Sequence, residues 1–176
     1  MSTTTETDVS LLEYLDLSQL NCLNEAADHT LKAILAQKRR NTSSNYLLSD
    51  ADEQLLLNIP FNQAVRVRSI IIQGSVAEQA PRTIKLAANR PTLGFEDLED
   101  ADEPEIAQVL SLSEADVKEG RVVRLRFVRF QAVNSLHIFV GSNQANEDTT
   151  RIDAIDILGV PVETTKDLSG LRKQEE

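Results

Sequence analysis

The sequence predicts an all-β protein: an antiparallel β-sandwich or barrel with one or two short helices. Three observations carry that expectation. Residues 121–140, RVVRLRFVRFQAVNSLHIFV, are dense in valine, isoleucine, leucine and phenylalanine and hold neither proline nor glycine. The first half alternates Val123, Leu125 and Phe127 with Arg124 and Arg126, the period of a sheet with one wet face. Only residues 26–37 have the spacing of a helix of any length, with Leu31, Ile34 and Leu35 on one face and Asp28 placed to cap it.

Taken in order, residues 1–8 are polar and threonine-rich and are expected to be disordered. The domain is read as residues 11–165, between a tail of residues 1–10 and a flexible charged tail of residues 166–176. An extended piece at 12–17 precedes a turn near Ser18, and the helix at 26–37 ends in the basic, polar run KRRNTSSN. Short strands at 45–48 and 54–59 flank a turn at 49–52, and Pro60 is expected to close the second. Residues 65–75 form a second long strand with Arg66 and Arg68 opposite Val65 and Val67. A turn at 77–81 leads to a strand at 83–88. The acidic run EDLEDADEPE lacks the spacing and the glycine of a calcium loop, so it reads as a solvated loop with a turn of helix at 95–98. A strand at 106–112 follows. Ser113 to Asp116 has capping-box form and opens a helical turn that ends near Gly120. A last strand at 150–158 ends at Gly159-Val160-Pro161.

Within residues 121–140 the phase breaks after Phe127. Continued alternation would bury Arg129 and expose Val128 and Phe130. One extra residue at Phe127–Val128, a β-bulge, would instead turn Val128 and Phe130 inward and all three arginines outward. The expectation is therefore a bulged first strand, a short connection at 131–135 and a second strand, with Phe127 in the core.

Composition narrows the function classes. A chain of 176 residues, 41% hydrophobic and 26% charged, fits one globular domain, and aromatics at 4% make the core aliphatic. No apolar run is long enough to cross a bilayer and the start has no signal-peptide pattern, so a cytoplasmic location is expected, with the nucleus also open to it. The formal charge of −10 argues against nucleic acid and membrane surfaces as partners. Cys22 stands alone in a leucine-rich setting and reads as a buried, inert thiol. His29 and His137 offer no zinc set with it. No GxSxG, Walker or GxGxxG motif is present, so the chain does not read as an enzyme, and no cofactor or metal is expected. A monomer is expected. The one surface feature that stands out is the arginine set Arg66, Arg68, Arg124, Arg126 and Arg129, all on outward faces of long strands. These arginines either pair with acids on neighbouring strands or form a positive stripe for an acidic partner.

Several runs together resemble the PITH domain, the proteasome-interacting thioredoxin module. They are CLNE (22–25), SDADEQLLL (49–57), PFNQAVRVRSIIIQG (60–74), AP with TIKLAANRP (80–91) and VRFQAVNSLHIFVGSNQANEDTTRI (128–152), with GVPV at 159–162. Ala87–Ala88 departs from the family pattern, where an aromatic residue is expected. The resemblance implies a jelly-roll-like, galactose-binding-like β-sandwich that docks, without catalysis, onto the regulatory particle of the 26S proteasome. It also implies that the chain is either a free-standing member or the C-terminal half of a thioredoxin-like redox protein, with a thioredoxin domain in cis. The fold class raises a different reading, a carbohydrate or small-ligand binding domain.

Overall fold

The computed structural model describes residues 7–162. Its spine is one strand, β4 (Leu55–Gln73), which pairs with four others. Before it come β1 (Val9–Ser10), a 3-10 turn (Leu11–Tyr14), β2 (Asn21–Leu23), α1 (Leu31–Leu35) and β3 (Leu47–Leu48). After it come β5 (Pro81–Ala88), α2 (Phe95–Leu98), β6 (Gln108–Ser111), α3 (Glu114–Glu119), β7 (Val123–Arg124), β8 (Val133–Asn143), β9 (Arg151–Ile152) and β10 (Ala154–Pro161).

All strand pairs are antiparallel. The first part of β4, Leu55 to Pro60, pairs with β2 on one edge and β8 on the other, and β5 and β6 extend that layer beyond β8. The second part, Val65 to Gln73, pairs with β10 and, at Ser69 and Ile70, with β7; β1 lies outside β10. Between the two parts the register with β8 slips by three residues, a bulge that lets one strand serve both layers of the sandwich. Pro60 was expected to end the strand. Instead its missing N–H falls where the β8 ladder is already interrupted, its carbonyl accepts from Asp16, and β4 continues.

Alternation along the strands builds two cores. Leu55, Leu57, Ile59, Leu136, Ile138 and Val140 join Val65, Val67, Ile155 and Ile157 between the layers. On the outer face of the first layer, Leu56, Ala87 and Phe139 are covered by Leu93, Leu98 and Ile106. The acidic loop is thus anchored as well as solvated. Lys85 fixes it further, its Nζ donating to the carbonyls of Leu98, Glu99 and Ala101 at 2.8, 2.9 and 2.8 Å.

Several sequence expectations give way. The helix is only Leu31–Leu35, and its cap is Thr30, whose side chain accepts from Ala33, not Asp28. The piece read as extended at 12–17 is largely the 3-10 turn Leu11–Tyr14. Val9 and Ser10, assigned to the N-terminal tail, pair with Gly159 and Leu158. Residues 1–6 and the charged tail at 166–176 lie outside the described residues. The capping box holds: Ser113 accepts from Asp116, and Gly120 closes α3 at φ 69°.

The largest correction concerns residues 121–140, which do not form a hairpin. β7 and β8 run in the same direction along one edge of β4, with Arg124 opposite Ser69 and Val133 opposite Val65. Leu125 donates to the carbonyl of Arg68, so residues 126–132 span a gap of only two β4 residues, Arg66 and Val67. A strand would bridge it with two or three residues, and the surplus coils into a 3-10 turn, Phe127–Phe130. Phe130 is fully buried, whereas Phe127 is 54% and Val128 68% exposed. The predicted burial of Phe127 and Val128 is wrong.

Candidate protein-docking surface

The turn made by that surplus chain is positioned from both sides. Phe130 plugs the main core, and the backbone N–H of Arg126 donates to Gln108 Oε1 at 2.8 Å. Arg124, Arg126 and Arg129 all face solvent, as the sequence led one to expect. Arg126 pairs with Glu103, whose other oxygen accepts from the Val109 N–H at 2.9 Å. That backbone donor and the Arg126 guanidinium hold the Glu103 carboxyl below the usual carboxylate range. Arg129 donates to the carbonyl of Pro104 at 3.3 Å. The Arg124 side chain has no hydrogen bond or ion pair among the described residues.

The five arginines therefore differ in setting. Arg66 and Arg68, on the second part of β4, are half-buried. Arg68 pairs with Asp8 at 3.4 Å. The Arg66 Nε is buried without a hydrogen-bond partner. Around Arg124, Arg126 and Arg129 the structure adds what the sequence reading missed: Phe127 and Val128, with exposed Val122 on the same segment. A signal existed, because two adjacent apolar residues in a strand cannot share one face.

Other candidates resolve into structure. Cys22 is buried, and desolvation and the Glu25 charge push its thiol far up, while a backbone hydrogen bond at Leu56 opposes them. His137 is buried; its Nε2 accepts from the Arg90 N–H at 3.1 Å, so its proton sits on Nδ1 and is donated to Asn58. His29 stacks on Tyr46 at 4.1 Å, and Arg151 covers the ring at 3.6 Å. Among the described residues no group of three His, Cys, Asp or Glu side chains could hold a metal. A cavity of about 380 Å³ opens at one end of the sandwich. It is lined by Asp52, Glu53, Glu147 and Asp148 with Ser142 and Asn146, and no aromatic ring reaches it.

The PITH domain family profile matches residues 1–176. The chain belongs to the PITH domain family. Among relatives of this PITH domain, Thioredoxin-like protein 1 of Schizosaccharomyces pombe is 40% identical over 156 residues, 87% of this chain and 52% of that protein. PITH domain-containing protein 1 of Homo sapiens is 34% identical over 146 residues, 82% of this chain and 66% of that protein. The PITH domain chain thus spans about half the length of the yeast relative and about two thirds of the human one. Its fold is similar to the family 32 CBM of Clostridium perfringens NanJ, solved with galactose. That match has a TM-score of 0.60 at 9% identity and covers 86% of this chain and 99% of that one. An F5/8 type C domain from Bacteroides fragilis matches with a TM-score of 0.53 at 13% identity, covering 81% and 91%. These likenesses establish a galactose-binding-like β-sandwich for this PITH domain.

Proposed function

We propose that this PITH domain is a non-catalytic module that docks onto the regulatory particle of the 26S proteasome, and that the turn at Phe127–Phe130 is its contact point. The observation that carries the reading is the exposed Phe127–Val128 pair beside Arg124 on a chain of net charge −10. Aromatic and arginine side chains supply much of the binding energy at protein interfaces, where a partner can exclude water from them. The guanidinium groups steer an acidic partner toward the turn and repel basic ones. In a longer chain the same module would bring a thioredoxin domain to the proteasome in cis, in the cytoplasm and also the nucleus. The arginines of β4 support this surface only indirectly, since Arg68 is already engaged by Asp8.

The test is capture of purified proteasome regulatory particle by the immobilised domain. Phe127→Ala with Val128→Ser removes exposed groups only and should leave a folded domain. Retention should fall at least about tenfold. Wild-type retention should weaken with added salt. Undiminished capture by the folded double variant would overturn this surface, and no capture by wild type would overturn the proteasome reading. Sugar binding is the competing use of this fold; galactose added to the domain should leave its melting temperature unchanged.

A further inference from the structure

The loop that follows α1 carries Lys38-Arg39-Arg40-Asn41-Thr42-Ser43-Ser44, a basic run leading into three hydroxyls. We infer that Thr42 is a phosphorylation site for a serine/threonine kinase that reads arginines two and three residues before its target, and that Arg39 and Arg40 receive the phosphate. Kinases of that kind bind an accessible, non-helical segment and select it by charge, so exposure and conformation decide among candidate hydroxyls.

An arginine stands three residues before a hydroxyl at Thr42, Ser43 and Ser69. Ser69 lies inside β4, between β10 and β7, and is 1% exposed. Ser43 is exposed but held in a local turn. Its Oγ donates to Asn41 Oδ1 at 2.8 Å and accepts from the Asn45 N–H at 3.1 Å. Thr42 is exposed, sits outside any helix or strand, and its hydroxyl has no partner among the described residues. It alone has arginines at both preceding positions, Arg39 and Arg40. The loop is presented rather than loose, because Asn41 Nδ2 ties it to the carbonyls of Asn45 and Asp153 at 2.8 and 2.9 Å.

The surroundings suit the product as well as the substrate. A cavity of about 140 Å³ beside the loop is lined by Arg39, Arg40, Thr42, Ser43 and Asn45. Arg39 is exposed and without a partner among the described residues, and Arg40 shares its guanidinium with Asp156, Nη2 to Oδ2 at 3.1 Å. In the transfer, the Thr42 oxygen bonds to the γ-phosphorus of ATP and the bond from that phosphorus to the β–γ bridging oxygen breaks. ADP leaves with the electron pair, and the hydroxyl proton passes to a carboxylate of the kinase. The phosphate brings a charge of about −2 and three acceptor oxygens to a run of three cations, forming charge-assisted hydrogen bonds with the two arginines.

The experiment treats the folded chain with Mg-ATP and the catalytic subunit of cyclic-AMP-dependent protein kinase, then maps the phosphate by peptide mass. One phosphate should appear, on Thr42. Arg39→Gln should slow incorporation at least about tenfold, and Thr42→Val should abolish it. The phosphate of the folded product should lose its second proton at lower pH, by phosphorus NMR, than the same phosphothreonine in a peptide of residues 38–45. Arg39→Gln, phosphorylated to completion with excess kinase, should reverse part of that shift. Incorporation at Ser43 or Ser44, or only after the chain is unfolded in urea, overturns the site. A phosphate titrating as in the peptide overturns its seating on the arginines.

Discussion

His137 and Asn58 face each other across the β4–β8 pair, and Nδ1 of the imidazole donates to Asn58 Oδ1 at 2.7 Å. Asn58 Nδ2 in turn donates to Asn21 Oδ1 at 2.9 Å, so a polar row crosses β2, β4 and β8 on the face away from the main core. Burial, and then repulsion from Arg90, lowers the His137 pKa from 6.5 to about 4. The folded chain therefore holds the ring neutral, while the unfolded chain takes up its proton between those values. Stability from this group is complete above pH 6.5 and is lost as pH falls toward 4, by about 3 kcal/mol in all. Urea melts across that window should show the decline, and His137→Gln should be less sensitive to pH over it. Equal slopes would mean that the ring titrates normally.

Phe127 and Phe130 stand three residues apart in one turn and should behave oppositely. Phe130→Ala opens a cavity in the main core and should cost about 3–5 kcal/mol. Phe127→Ala removes an exposed ring and should change stability by less than about 0.5 kcal/mol. Denaturant midpoints of the two variants decide the matter, and similar losses would place both rings in the core.

That pair also shows where sequence reading stops. Alternation located the apolar segments, and the box at Ser113 with the glycine at 120 marked the two ends of α3. Local pattern could not show that β7 and β8 lie end to end beside β4, because that depends on register with a distant strand. Pro60 was misread for the same reason: its tolerance comes from an interrupted ladder, not from its neighbours. The second core did leave a trace. Leu55, Leu56 and Leu57 are consecutive, and an unbroken apolar run means both faces of the strand are covered. Of the candidate surface, the outward arginines at 124, 126 and 129 were legible, and the exposed Phe127–Val128 pair between them was missed although its adjacency ruled out one shared strand face.

Asn143 is fully buried and organises the loop from Asn143 to Thr150. Its Nδ2 donates to the carbonyls of Glu147 and Thr149 and to Thr150 Oγ1, while Oδ1 accepts from the Glu147 N–H at 2.7 Å. Thr150 passes the network on, its hydroxyl donating to the Glu53 carbonyl at 2.6 Å. Asn143→Ala strands several buried polar groups at once and should cost about 2–4 kcal/mol. Amide exchange should quicken at residues 147–150 first. A loss below about 0.5 kcal/mol would mean that water replaces the side chain freely.

Gly159 sits where β10 changes register against β4, between the pairs Leu158–Ser69 and Gly159–Val67, which leaves Arg68 unmatched. That slip moves the inward residues of β4 from Val65 and Val67 to Ile70 and Ile72, so both parts of the strand face the main core. It also draws the two backbones together. A Cβ at position 159 would run into the carbonyl oxygen of Arg66 and come within 3.2 Å of Leu11 Cδ1. Backbone cannot move aside as a side chain does, so even alanine forces β10 away from β4 and loosens β1 beyond it. Gly159→Ala should therefore cost at least about 2 kcal/mol. Gly94→Ala is the comparison: its nearest neighbour is the far end of the Glu96 side chain at 3.4 Å, and the loss should stay below about 1 kcal/mol. Equal melting temperatures for the two variants would show that the sheet relaxes at Gly159 and that the close approach to Arg66 is not needed for the fold.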